Sequence, residues 1–228
     1  MRPTESLGNI IWRALSGSHR RLSVGNERTR RYARDFPALF AFHDPASADF
    51  ESFESHCEAG DHLYCTEWVG AAPEGWKVEA DLGVVAMLWR GDRPMLDHSI
   101  AVTALDSSHV EEMRALARLT RPGPFAQKPI GLGEWVGVFD AGRLVAMAGE
   151  RLHADNLREV SGICTHPEAQ GRGLARALTL AMVRRQLDRG ETPFLHVMPD
   201  NARARTLYER IGFEVVREVP LRVVARAY

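Results

Sequence analysis

The segment that most restricts this chain is a glycine-containing turn set between a β-like run and a long helix: His166-Pro167-Glu168-Ala169-Gln170-Gly171-Arg172-Gly173-Leu174-Ala175. Arg158–Thr165 reads as a strand before it, and a helix is predicted from about Leu174 to Arg189, closed by Gly190. A strand feeding directly into a helix leaves backbone N–H groups unpaired at the positive end of the helix macrodipole, which makes an anion site. Gly171 and Gly173 carry no Cβ, so the backbone can curl closely around a bulky ligand. The charges run against the dipole: Arg172 and Arg176 sit at its positive end and Asp188 near its negative end. Each misplacement costs ~0.3–1 kcal/mol in isolation. A bound anion would turn the arginine penalty into a gain, and a local rule broken without structural return is where function is expected.

The neighbouring pattern is regular from about residue 98. Ser99–Leu105 reads as a strand, and Asp106, Ser107 and Ser108 supply an N-cap for a helix through Leu119, with Val110, Met113, Leu116 and Ala117 at helical spacing. Arg121-Pro122-Gly123-Pro124 breaks it. Glu134–Phe139 and Arg143–Glu150 flank Asp140-Ala141-Gly142, a hairpin signal. Further on come a strand at Phe194–Met198, a helix at Asn201–Arg210 and two β segments around Pro220. The order β-α-β-β-β-α-β-α-β-β argues for an α/β (α+β) fold, a mixed central sheet flanked by helices. The strand–helix–strand from 158 to 198 is expected to be a right-handed parallel crossover.

Residues 1–95 are less even. An apolar patch at Ile10–Leu15 is followed by a basic run (Arg20, Arg21, Arg28, Arg30, Arg31) and an aromatic patch from Phe36 to Phe42. A helix around Asp49–Ala59 and short strands at Leu63–Val69 and Leu82–Trp89 are predicted. The turn Gly91-Asp92-Arg93-Pro94 is read as a domain boundary, separating a smaller N-terminal region (1–95) from a domain at 98–228. The basic run reads as solvated surface, because no aromatics are interleaved with the arginines as nucleic-acid binding requires. Trp135 and the aromatics of residues 32–42 could line an acceptor pocket, with core packing the simpler expectation.

Composition narrows the classes. The 228 residues are 45% hydrophobic and 26% charged with a formal net charge of −1. These values suit a soluble globular protein with no global field to recruit nucleic acid or an anionic membrane. Cys57, Cys65 and Cys164 form no CxxC pair, so neither zinc site nor disulfide framework is expected, and a reducing cytoplasm fits. No signal-peptide pattern opens the chain, and the longest apolar stretch, Leu82–Trp89, falls far short of a bilayer of roughly 30 Å.

Three phosphate-binding loops compete for 166–175. A P-loop needs Gly-Lys-Ser/Thr, which Gly173-Leu174-Ala175 does not supply. A dinucleotide fingerprint needs a third small residue where Arg176 stands. A coenzyme A pyrophosphate loop, Gln-x-x-Gly-x-Ala, is matched at Gln170, Gly173 and Ala175.

Downstream, Asp200-Asn201-Ala202-Arg203-Ala204-Arg205-Thr206-Leu207-Tyr208-Glu209-Arg210-Ile211-Gly212-Phe213 resembles the Asn-x-x-Ala-x-x-Leu-Tyr-Glu-x-x-Gly-Phe signature of the Gcn5-related N-acetyltransferases (GNAT), at the family's spacing from the loop. With Cys164-Thr165-His166-Pro167 and Pro193-Phe194-Leu195-His196-Val197, residues 98–228 are similar to its FR47-like branch in particular. Residues 1–95 carry no comparable motif, and a degenerate second half of the same fold is one expectation for them. The resemblance implies the acyl-CoA N-acyltransferase fold, acetyl-CoA as co-substrate, no metal, and a small-molecule or peptide amine as acceptor attacking the thioester directly. It implies that the backbone of Ile163, Cys164 and Thr165 pairs with the pantetheine arm, and that Gly171, Arg172, Gly173, Leu174 and Ala175 hold the pyrophosphate through their amides. Gln170 would order the loop and Asn201 would bond the pantetheine. Tyr208 would stand near the sulfur. Asn201, Ala204 and Tyr208 fall on one helical face, and a phenol there could protonate the departing thiolate.

For the base, Glu159 is the first candidate, with a carboxyl raised by partial burial; Glu150 is the second and His196 the third. Cys164 is expected to pack in a buried strand rather than act as a nucleophile. The rival from another class is a non-catalytic acyl-CoA-binding sensor or interaction module, which would keep the loop and Asn201 yet tolerate Tyr208→Phe and Glu159→Gln.

Overall fold

The apolar patch near the start is a helix, α1 (Ile10–Ser16), with Ile10, Ile11, Ala14 and Leu15 buried. The computed structural model in which it is seen describes residues 7–227. Three short strands follow, β1 (Ser23–Gly25), β2 (Thr29–Tyr32) and β3 (Phe40–Phe42), paired antiparallel as a small sheet of their own. Two arginines of the basic run are not solvated surface. β2 is the middle strand, so Arg30 and Arg31 are buried. Arg31 is paired with Asp61 at 2.6 Å, and Arg30 Nε donates to Ser23 Oγ at 2.9 Å.

The predicted helix at 49–59 is instead a short 3-10 turn, Glu51–His56. Its carbonyls are taken by guanidinium groups rather than by a continuing helix: Arg31 donates to His56 O at 3.1 Å and Arg226 to Glu54 O at 3.0 Å. The remaining elements are β4 (His62–Thr66), β5 (Trp76–Trp89), β6 (Thr103–Leu105), α2 (Val110–Thr120), β7 (Trp135–Asp140), β8 (Arg143–Ala154), β9 (Leu157–Thr165), α3 (Leu174–Asp188), β10 (Thr192–Val197), α4 (Ala202–Ile211) and β11 (Phe213–Arg226). No helix among the described residues is long and apolar enough to cross a membrane.

Eight strands form the main sheet in the order β4-β11-β5-β10-β9-β8-β7-β6. β9 and β10 run parallel and the other neighbours antiparallel, so the sheet is mixed. The sheet does not divide at the Gly91–Pro94 turn. β5, which precedes it, lies between β10 and β11, which come from the end of the chain. The two segments around Pro220 are one strand. Its carbonyl accepts from Glu67 N at 3.0 Å, where the pairing of β4 stops after Leu221↔Thr66. The N–H that proline lacks is therefore missed only at the end of a ladder.

Strand alternation divides the core. Val85, Met87, Leu195 and Val197 face α3 and α4 together with Leu178 and Met182. Ala86, Leu88 and Phe194 face the other way, onto α1 and Tyr32. Helix α2 packs Met113, Leu116 and Ala117 against Trp135, Met147 and Cys164. The N-terminal residues thus cover the sheet face that α3 and α4 leave open.

Phe194, 0% exposed, joins the two halves of this arrangement. Truncating Phe194→Ala is expected to lower unfolding free energy by about 3–5 kcal/mol, measured by urea titration, because the rigid surround cannot collapse into the void.

Candidate active site

Parallel pairing between β9 and β10 lasts for three residue pairs, Leu157↔Thr192, Arg158↔Pro193 and Glu159↔Phe194. Beyond them β9 keeps its ladder with β8 and β10 its ladder with β5, and the two strands part. From Val160 onward the edge of β9 that faced β10 carries backbone groups with no strand beside them. A bulge shapes that edge: Gly162 and Ile163 stand opposite the single residue Ala148, between the pairs Ser161↔Gly149 and Cys164↔Met147. Gly162 adopts φ +61, and a Cβ there would lie 2.5 Å from the Trp135 ring, so only glycine fits.

The gap is a cavity of about 360 Å³. Val160, Ile163, His196 and Val197 line it from the parted strands, and Asn201 and Tyr208 from α4. Ile11, Leu39 and Tyr64 close it from the opposite side. It therefore passes through the sheet, from the α4 face to the face covered by the N-terminal residues.

At its fork lies a buried charged cluster. Glu159, 0% exposed, accepts from Arg151 Nε at 2.8 Å and Arg151 Nη2 at 2.7 Å, and from His196 Nδ1 at 2.7 Å. A second bulge permits the grip: Arg151 and Leu152 of β8 both stand opposite Glu159, between the pairs Glu150↔Val160 and His153↔Arg158. Burial pushes the Glu159 carboxyl up, but the Arg151 guanidinium and the His196 bond outweigh it and hold it down at about 2. The raised carboxyl expected at this position is thus overturned, because the partner that decides its ionisation, Arg151, is a fully formed ion pair. An ionised carboxylate only accepts, so the proton shared with His196 sits on Nδ1 and leaves Nε2 as the acceptor nitrogen of a ring that lines the cavity.

Glu150 lies on the other face. It accepts from Gln186 Nε2 at 3.1 Å, from Glu134 N at 3.0 Å and from Arg189, which ties it to the end of α3 and away from the cavity. Tyr208, 7% exposed, faces the cavity, and burial pushes its phenol up to about 12. It is protonated at neutral pH and able to donate. The Asn201 side-chain oxygen caps α4, accepting from Ala204 N at 3.1 Å, which leaves its amide N–H groups to address a ligand. Cys164 is buried, and its thiol is pushed up to about 11, as packing rather than nucleophilicity demands. Cys164 and Thr165 pair with Met147 and Ala146 of β8.

The glycine turn is open. Gly171 and Gly173 adopt φ +79 and +75 with nothing within 4 Å of a built Cβ, and Gly173 caps α3 without any side-chain hydrogen bond. The amides at Leu174 and Ala175 open a helix of 15 residues whose first turn holds no acid. Two charges predicted to be misplaced have partners: Arg172 pairs with Asp140 at 2.6 Å, and Asp188 with Arg93 at 2.8 Å. Gln170 accepts from Arg203 at 3.3 Å, linking the turn to α4. Residue spacing predicts a strand that ends at Glu150, whereas β8 runs on to Ala154 and brings Arg151 into the site; a second charged residue directly after Glu150 is the signal in the sequence.

A sheet parted at its parallel pair, beside a helix with an open glycine turn, is the plan of an acyl-CoA N-acyltransferase fold. The FR47-like protein family model matches residues 135–223. A GNAT-family protein from Novosphingobium aromaticivorans, of known structure, is 33% identical, with 97% of this chain and 99% of that one covered and a TM-score of 0.90. A GCN5-related N-acetyltransferase from Kribbella flavida shares the fold at 18% identity and TM-score 0.63, over 99% of this chain and 96% of that one. The mycothiol acetyltransferase of Saccharomonospora viridis is 39% identical over 84 residues, 33% of this chain and 28% of that protein. That of Rhodococcus opacus is 38% identical over 92 residues, 38% of this chain and 30% of that protein. The match spans less than a third of these curated relatives' own length. The chain belongs to the GNAT family.

The depressed Glu159 carboxyl stabilises the fold above its unfolded value of 4.5, and that contribution is lost as pH falls toward about 2. Wild-type unfolding free energy is expected to drop by on the order of 3 kcal/mol across that window. Glu159→Gln, already destabilised at neutral pH by an unpaired Arg151, should show a flatter acid limb in denaturation at stepped pH.

Proposed function

We propose that this protein transfers an acetyl group from acetyl-CoA to a primary amine. One observation carries the reading: the uncapped start of α3 and the unpaired edge of β9 lead into a cavity faced by both Tyr208 and His196. The diphosphate would rest on the amides from Gly171 to Ala175, where the helix macrodipole favours negative charge. The pantetheine arm would lie along β9 at Ile163, Cys164 and Thr165, taking the hydrogen bonds that β10 gives up by parting, with the Asn201 amide as a further donor.

The amine enters from the opposite side, where residues of the N-terminal region form the wall. Its nitrogen attacks the thioester carbonyl carbon, and its proton passes to His196 Nε2. As the C–S bond breaks, the thiolate sulfur takes a proton from the Tyr208 hydroxyl. Glu159 acts through His196: it fixes the imidazole tautomer and stabilises the imidazolium, and is a positioning residue rather than the base. Glu150 has no part in this chemistry. A reducing, cytoplasmic setting fits three cysteines that stand as thiols.

With ~1 mM acetyl-CoA and an affinity near 10 μM, thermal denaturation should report stabilisation of about 2.7 kcal/mol. His196→Gln is expected to lower kcat by roughly 10²–10⁴, with the KM for acetyl-CoA unchanged. Tyr208→Phe should cost kcat about tenfold or more. Wild-type rates of CoA release in both variants would leave a non-catalytic module as the better description.

A further inference from the structure

We propose that the acceptor is a small amine carrying a carboxylate on an apolar body, and that Arg121 is the residue that receives the carboxylate. The inference rests on the acetyl-transfer reading above and names the substrate class of that same cavity.

Arg121 and Arg151 line the cavity, and no Asp or Glu does among the described residues. Arg151 is neutralised by its bidentate bond to Glu159, and His196 is held on the same carboxylate. Arg121 stands apart: it is exposed, and no described residue pairs with its guanidinium. Its place is set by its backbone. Arg121 ends α2 in the left-handed conformation, φ 49 and ψ 59, and its N–H closes the helix on Ala117 O. That position ordinarily falls to glycine or asparagine. Pro122 and Pro124 follow at once and, with Gly123, line the same cavity, so the arginine is carried on a stiff segment at the cavity wall.

Arginine presents a planar fork that suits a carboxylate in bidentate fashion. A polyamine finds no partner here, since its distal ammonium would need an acid that the lining does not supply. The apolar part of the lining, Ile11, Leu39, Leu82, Val84, Leu152 and Leu221, suits a hydrocarbon side chain. Together these features select an apolar amino acid over an amine of equal size without the acid group.

The test uses the full chain, acetyl-CoA, and three acceptors of one skeleton: leucine, leucinamide and 3-methylbutylamine, followed by CoA release. The kcat/KM for leucine is expected to exceed the other two by at least about tenfold. Arg121→Gln should bring the three within about threefold by lowering leucine alone, Arg121→Lys should restore part of the preference, and the KM for acetyl-CoA should hold in both. Three results overturn the proposal while leaving acetyl transfer intact: equal use of the three amines, a preference that survives Arg121→Gln, or a loss that falls on acetyl-CoA, which would assign Arg121 to the coenzyme. A coenzyme that binds with no acceptor turned over also overturns it. Acetyl-CoA that fails to stabilise the protein removes the transfer reading, and this inference with it.

Discussion

The parting of β9 from β10 after Glu159 and Phe194 is the constraint on which the rest of the molecule depends. A parallel ladder that stopped there without support would close again, because each unpaired backbone group is costly to bury. Several features hold it open. Two bulges in the β8–β9 ladder, at Gly162–Ile163 and at Arg151–Leu152, turn β9 away from the register it would otherwise keep. Tyr208 and Asn201 of α4 reach the gap from one face, and Arg151, Glu159 and His196 fill its fork from the other. The opening is therefore built into the packing on both faces.

The N-terminal residues belong to that construction. α1 and Tyr32 pack on the face of the sheet opposite α3 and α4, and β4 and β5 extend the sheet itself. Without them Phe194 and the Arg151–Glu159 pair would meet water. The buried Arg31–Asp61 pair and the arginines that gather the carbonyls of residues 54–57 fasten this layer in place. Arg30 and Arg31, two charges of a run that looks solvated along the chain, become interior because β2 is flanked on both sides.

What could be read from the chain beforehand follows the range of each signal. The glycine turn, α3, α4 and the β7–β8 hairpin are local, and their residues announce them through capping, glycine placement and spacing. The family resemblance of Asn201–Phe213 implies a place for Tyr208 near the sulfur, and Tyr208 lines the cavity. Register and strand order are not local. Nothing in Leu82–Trp89 says that it will sit between β10 and β11, over a hundred residues away, and the Gly91–Pro94 turn looks like a boundary though the sheet crosses it. The state of Glu159 was illegible on similar grounds. Its burial could be anticipated from its place in a strand, but Arg151 reaches it only through a bulge that no residue pattern announces.

That ion pair also limits which groups at the fork can accept a proton. Two opposite charges buried together contribute little net stability, since desolvation cancels much of their attraction, whereas removing one partner leaves the other stranded. A carboxylate held near 2 is, in Brønsted terms, a poor base at neutral pH. What it does well is fix a neighbour. By accepting from His196 Nδ1, Glu159 commits that proton and orients Nε2, and its unvarying negative charge would steady the ring once it gains a second proton. Arg151 in turn keeps the carboxylate ionised and still. The cluster at the fork thus uses a buried ion pair to orient the imidazole of His196, which lines the cavity.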